Sequence, residues 1–184
     1  EAFGPVAELD ENNDLVARII YAGAHVPAYM VKNGTTYRLL TDQLGSVVMV
    51  VDAGSGAVAQ ELSYGPFGEV LSDSNPGFQP FGFAGGIYDT DTELTHFGAR
   101  EYDAELGRWT ASDPIGFNGG DTNLYGYTAA DPVNLIDPSG LDWINDFSQG
   151  FMGFGDAVTM GGSKWLRQRA GLDNVVDYCS SARG

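Results

Sequence analysis

Thr36-Tyr37-Arg38-Leu39-Leu40 and, a short turn later, Ser46-Val47-Val48-Met49-Val50-Val51 decide how this 184-residue chain folds. Both runs are rich in β-branched and aromatic residues, which suit a pleated, half-buried surface. Gly45, Asp52-Ala53-Gly54 and Gly65-Pro66 punctuate them with turn chemistry. The stretch from Thr35 to Val70 therefore reads as a meander of short hairpins. A similar rhythm continues through Phe81-Gly82-Phe83, Thr95-His96-Phe97-Gly98 and Arg108-Trp109-Thr110, with turns at Gly85-Gly86 and Asp103-Ala104. Upstream, Leu15 to Tyr21 reads as a strand, with Asn12-Asn13-Asp14 as the turn before it. None of this region has sustained helical periodicity, so the expected fold class is mainly β and antiparallel.

After Leu141 the pattern changes. Asp142 can cap a helix whose apolar residues Trp143, Ile144, Phe147, Phe151 and Phe154 recur at roughly helical spacing. A second amphipathic segment runs from Ser163 through Trp165, Leu166 and Arg169, and the Gly-rich stretch 150–162 joins the two. A domain boundary is expected between Leu141 and Asp142, with a short helical C-terminal tail beyond it.

The charge is lopsided. Residues 1–141 carry 5 Lys and Arg against 20 Asp and Glu, while residues 142–184 carry 4 against 5. A field of that sign repels nucleic-acid phosphates and anionic membranes and favours a basic partner or cargo, unless it serves solubility alone. The single Cys179 cannot form an internal disulfide. His25 and His96 are too few and too isolated for a metal site, and no cofactor is expected. No charged and apolar leader and no run near 18 apolar residues is present, so neither a signal peptide nor a spanning helix is expected. The start at Glu1 suggests a piece of a longer chain.

One phrase is written twice: Asp113-Pro114-Ile115-Gly116 and Asp137-Pro138-Ser139-Gly140-Leu141. Two aspartates in matching turns can be folded toward each other. A close carboxyl pair sharing one proton can activate water against a peptide carbonyl, so self-cleavage is one reading. The other is structural, because Asp-Pro is an ordinary turn opener and Asp131-Pro132 is a third copy. The aromatic residues Tyr64, Tyr102 and Trp109 read as sheet packing rather than as platforms for sugar.

Tyr37-Arg38-Leu39-Leu40-Thr41-Asp42-Gln43-Leu44-Gly45-Ser46, Tyr64-Gly65-Pro66-Phe67-Gly68-Glu69, Phe83-Ala84-Gly85-Gly86-Ile87-Tyr88-Asp89 and Phe97-Gly98-Ala99-Arg100-Glu101-Tyr102-Asp103 with Leu106-Gly107-Arg108-Trp109 together resemble the repeat-associated core of Rhs and YD-repeat proteins, which are related to the C component of Tc toxins. The resemblance covers about Tyr37 to Leu141. It implies an antiparallel β-hairpin shell that encloses a C-terminal toxin, divided here into the end of preceding YD-repeat strands (1–36), the core (37–141) and a helical pre-toxin linker (142–184). It further implies an aspartyl self-protease that cuts the Leu141–Asp142 bond, with Asp113 and Asp137 as the carboxylates. Pro114, Gly116, Pro132, Pro138 and Gly140 belong to the supporting motif. Arg100 and Glu101 match an Arg-acid pair near the catalytic group, although Glu stands where many relatives have Asp. The interval 117–136 is slightly long, with Asp121-Thr122 as the apparent insertion.

The partners implied are the remaining repeats of the same chain, a C-terminal toxin domain, and an immunity protein or secretion apparatus. No nucleic acid is expected on the core, and membrane contact is an open role for 142–184. The resemblance places the protein as secreted, delivered by a secretion system or held at a cell surface. Two rivals remain open: a non-cleaving cap or cell-surface interaction module, and a module that cradles basic cargo on its acidic face.

Overall fold

The computed structural model describes residues 4–21 and 26–141. They fall in the first of two units, Glu1–Ile144; the second, Asn145–Gly184, lies outside the described residues, as does the expected helical tail. Seven strands form one antiparallel meander in sequence order: β1 (Ala7–Leu9), β2 (Leu15–Tyr21), β3 (Pro27–Lys32), β4 (Thr35–Thr41), β5 (Val47–Asp52), β6 (Val58–Tyr64) and β7 (Val70–Asp73). A second antiparallel sheet, in the order β11-β10-β9-β8, comprises β8 (Ile87–Tyr88), β9 (Leu94–Phe97), β10 (Arg100–Asp103) and β11 (Arg108–Trp109).

Side-chain alternation builds the first sheet. Register puts Ile19 opposite Met30 and Met30 opposite Tyr37, and Leu39 opposite Val50 and Val50 opposite Gln60. These rows fall on one face, so Ala17, Ile19, Met30, Leu39, Val47 and Val50 are buried together with Phe81. The intervening residues Arg18, Ile20, Arg38 and Leu40 are exposed, as the two-residue period requires. Aspartates close several turns: Asp10 Oδ1 accepts from Asn12 N and Asp14 N, and Asp52 Oδ1 accepts from Gly54 N and Ser55 N. Those backbone donors hold both carboxyls below the usual carboxylate range.

The second sheet rests on an aromatic cluster of Phe83, Phe97, Tyr102, Trp109 and Tyr127. Tyr102 and Tyr127 have ring centroids 4.3 Å apart, and Trp109 meets Tyr127 edge-on at 5.2 Å. Trp109 is 1% exposed. Trp109→Ala is expected to destabilise the fold by about 3–5 kcal/mol through lost burial and a residual cavity, read as the shift in urea midpoint.

One expectation needs correction. Phe81-Gly82-Phe83 does not continue the strand rhythm: Phe81 makes one bridge to Ile87, and Phe83–Gly85 coils into a 3-10 turn. A tertiary contact fixes that turn, since Ala84 N donates to Ser46 Oγ at 3.0 Å while Ala84 has φ +50°. The first sheet runs without a break through β4, where the end of the preceding repeat strands (1–36) meets the core (37–141).

Candidate functional site

The two Asp-Pro phrases form the same turn. In each, the Asp carbonyl accepts from the Gly amide three residues on, from Gly116 N at 3.1 Å for Asp113 and from Gly140 N at 3.2 Å for Asp137. Both glycines have positive φ, +60° and +66°. Each carboxyl also caps its own turn: Asp113 Oδ1 accepts from Ile115 N at 2.8 Å, and Asp137 Oδ1 accepts from Ser139 Oγ at 2.9 Å and Leu141 N at 3.2 Å. Pro114 is exposed, Pro138 half-buried and Pro132 buried. Proline at the second position presets φ for each turn.

Arg100 joins the two turns. Alternation along β10 sends Arg100 and Tyr102 inward, and the guanidinium lies over the Trp109 ring at 4.2 Å from its centroid. Its Nη2 meets Asp113 Oδ2 at 3.1 Å and Asp137 Oδ2 at 3.2 Å, with all three side chains largely buried. Nε donates to the Gly140 carbonyl and Nη1 reaches the Leu124 carbonyl at 3.5 Å. The Asp137 turn is thus docked on the corner between β9 and β10, where Ala99 N donates to the Ser139 carbonyl at 2.9 Å. A side chain at Gly140 would run into the Phe97 carbonyl. Gly140→Ala is therefore expected to destabilise by more than about 1 kcal/mol, since both φ and space oppose it.

The carbonyl of Leu141 completes the cluster. The position that a Cβ at Gly119 would occupy lies 2.7 Å from Asp113 Oδ2 and 3.0 Å from the Leu141 oxygen. Carboxyl oxygen and peptide oxygen therefore share one small gap, which exists because residue 119 has no side chain. Tyr127 sits beside the main chain of Asp137, and burial first, then the charges of Tyr102 and Asp137, push its hydroxyl well above the usual tyrosine range.

Glu101 does not join this cluster. The two-residue period of β10 turns it to the opposite side from Arg100, where Oε1 pairs with His96 Nδ1 at 2.8 Å and both side chains are about half exposed. Its expected place beside the catalytic group is corrected accordingly. Glu101→Gln is expected to leave any Leu141 cleavage within about twofold of the parent rate and to shift stability by no more than about 1 kcal/mol, as for an exposed pair. Asp142 lies outside the described residues. Sequence reasoning also passed over Gly119, Ser139 and the Leu124 carbonyl. Ser139 was legible as a turn-capping serine, but a backbone carbonyl leaves no trace in a sequence.

Among the described residues no group of three or more His, Cys, Asp or Glu is placed to hold a metal. No helix among them is long and apolar enough to cross a membrane.

A hairpin meander that passes into a second sheet and an Arg-bridged pair of Asp-Pro turns defines this chain as part of a β-sheet shell built from YD repeats. The teneurin YD-shell profile matches residues 5–133, and the chain belongs to that family. It is 35% identical over 118 residues to Teneurin-3 of Danio rerio, covering 61% of this chain and 4% of the relative. It is 34% identical over 137 residues to Teneurin-3 of Mus musculus, covering 71% of this chain and 5% of the relative. The chain thus spans only a small part of the curated relatives it matches. Among solved structures it is similar to the crystal structure of TcdB2-TccC3-Cdc42, with a TM-score of 0.61 at 24% identity, covering 73% of this chain and 7% of that one. It is also similar to TcdB2-TccC3 without its hypervariable C-terminal region, with a TM-score of 0.58 at 25% identity, covering 69% and 7%.

Proposed function

We propose that this shell segment is the closing, Rhs-type core of its protein and hydrolyses its own Leu141–Asp142 bond, freeing a C-terminal toxin. The observation that carries the reading is the convergence of Asp113, Asp137 and the Leu141 carbonyl on one buried arginine and one gap. Asp137 rests on Arg100 and accepts from the Leu141 amide, which fixes the peptide. The two carboxyls share one proton, and the one that holds it polarises the Leu141 carbonyl. Water adds to the Leu141 carbon while the other, ionised carboxyl of the Asp113–Asp137 pair takes its proton. The C–N bond to Asp142 then breaks and a proton passes to the leaving amine. Holding bond and acids in one chain replaces a bimolecular encounter, and a single turnover suffices.

One similar solved structure lacks a hypervariable C-terminal region, which supports reading 142 onward as the joint to a separable domain. On this reading the partners are the adjoining repeats, the toxin, and an immunity protein or secretion apparatus, and the protein works outside its cell of origin. A second reading rests on one observation: the same arginine nitrogen satisfies both carboxylates. That geometry makes a latch that closes the shell without cutting. Intact mass of the purified chain, beside Asp113→Asn and Asp137→Asn, separates the two. The self-protease predicts fragments 1–141 and 142–184 from the parent alone; a parent that stays whole even when joined to its preceding repeats leaves the latch.

A further inference from the structure

A second polar cluster lies away from the Asp113–Asp137 site, in a cavity of about 180 Å³ lined by Glu8, Gln60, Asp73, Gln79, Tyr88 and Thr90 with their neighbours. Gln60 is 1% exposed. Its amide nitrogen donates to Asp73 Oδ1 at 2.8 Å, Asp73 Oδ2 at 3.0 Å and the Asn75 carbonyl at 3.0 Å. Three acceptors on that nitrogen fix the amide, because a flip would set oxygen against oxygen. Oε1 is then left buried with no hydrogen-bond partner among the described residues, and so is Glu8 Oε2.

A buried amide oxygen and a buried carboxylate oxygen without donors are each costly, on the order of 1–3 kcal/mol for a neutral group and more for a charged one. Here they line one cavity with a second carboxylate, Asp73. The donors in the wall, the second N–H of Gln79 beyond the one on the Phe81 carbonyl and the hydroxyls of Tyr88 and Thr90, make no hydrogen bond to Gln60 Oε1 or Glu8 Oε2. The cavity thus sets two unpaired oxygen acceptors beside the Asp73 carboxylate, and it has room for an ion with several waters. Hard divalent cations take such sets of carboxylate, amide and water oxygens, calcium with the loosest geometry.

We propose that this cavity binds a partly hydrated calcium ion through Glu8, Gln60 and Asp73, tying edge strand β1 to β6 and β7. With two carboxylates the affinity falls in the weak range of calcium sites, roughly 10⁻⁴–10⁻³ M. Tyr88 in the cavity wall provides a reporter, because tyrosine excitation sensitises terbium emission. The full 184-residue chain titrated with terbium chloride is expected to show emission excited through tyrosine, removed by millimolar calcium chloride and reduced at least fivefold in Glu8→Gln. Gln60→Glu sets a third carboxylate beside Asp73, so it is expected to melt lower than the parent without calcium and to gain more from added calcium. Terbium emission unchanged by Glu8→Gln, or a Gln60→Glu melting point that does not respond to calcium, overturns the proposal.

Discussion

Arg100→Ala is expected to destabilise the protein by about 3–5 kcal/mol, the cost of removing one partner from a buried charge cluster. Asp113 and Asp137 would then face each other without a cation, each keeping only its turn hydrogen bonds. The guanidinium also covers the Trp109 ring, so packing is lost with the charge. Small domains have about 5–15 kcal/mol in total, so this one change removes a large share. Arg100→Lys is expected to recover little, because an ammonium cannot reach the Gly140 carbonyl, the Leu124 carbonyl and both carboxylates at once. Arg100→Met combined with Asp113→Asn and Asp137→Asn is expected to recover most of the loss, since no uncompensated charge remains. Urea midpoints of the four proteins measure this; an Arg100→Ala midpoint equal to that of the parent would mean the cluster is solvated.

Asp113→Asn and Asp137→Asn are expected to stop self-cleavage for different reasons. Asn at 113 keeps an oxygen for Ile115 N but cannot transfer a proton, and losing one acid or base typically costs about 10²–10⁴-fold in rate. It also loses the carboxylate oxygen opposite Arg100 Nη2, so it should melt below the parent, but by less than Asn at 137. Asn at 137 weakens the anchor on Arg100, Ser139 and the Leu141 amide together. That variant should lose cleavage and also melt lower. Equal loss of cleavage without this difference in stability would mean that Asp137 does not hold the peptide. A variant at either position that cuts at the parent rate would remove that residue from the mechanism.

Strands β2, β4, β5 and β6 were legible because their residues alternate or cluster as β formers between turn residues. The turn at Phe83–Gly85 was not, because its left-handed Ala84 is held by Ser46, 38 residues earlier. In the site, repetition of a phrase exposed Asp113 and Asp137. Burial of Arg100 follows from alternation along β10, and the same alternation turns Glu101 outward. The stack of Arg100 on Trp109 needed the register that pairs Tyr102 with Trp109. Gly119 carried no motif, and only the approach of Asp113 to the Leu141 carbonyl gives it meaning.

The most direct test is maturation of the chain in water enriched in ¹⁸O, followed by mass spectrometry of the peptide that ends at residue 141. The account predicts a peptide terminating at Leu141 with one ¹⁸O in its new carboxylate, absent from the Asp113→Asn protein. A peptide running unbroken through Leu141–Asp142 in a chain that carries its preceding repeats would contradict it.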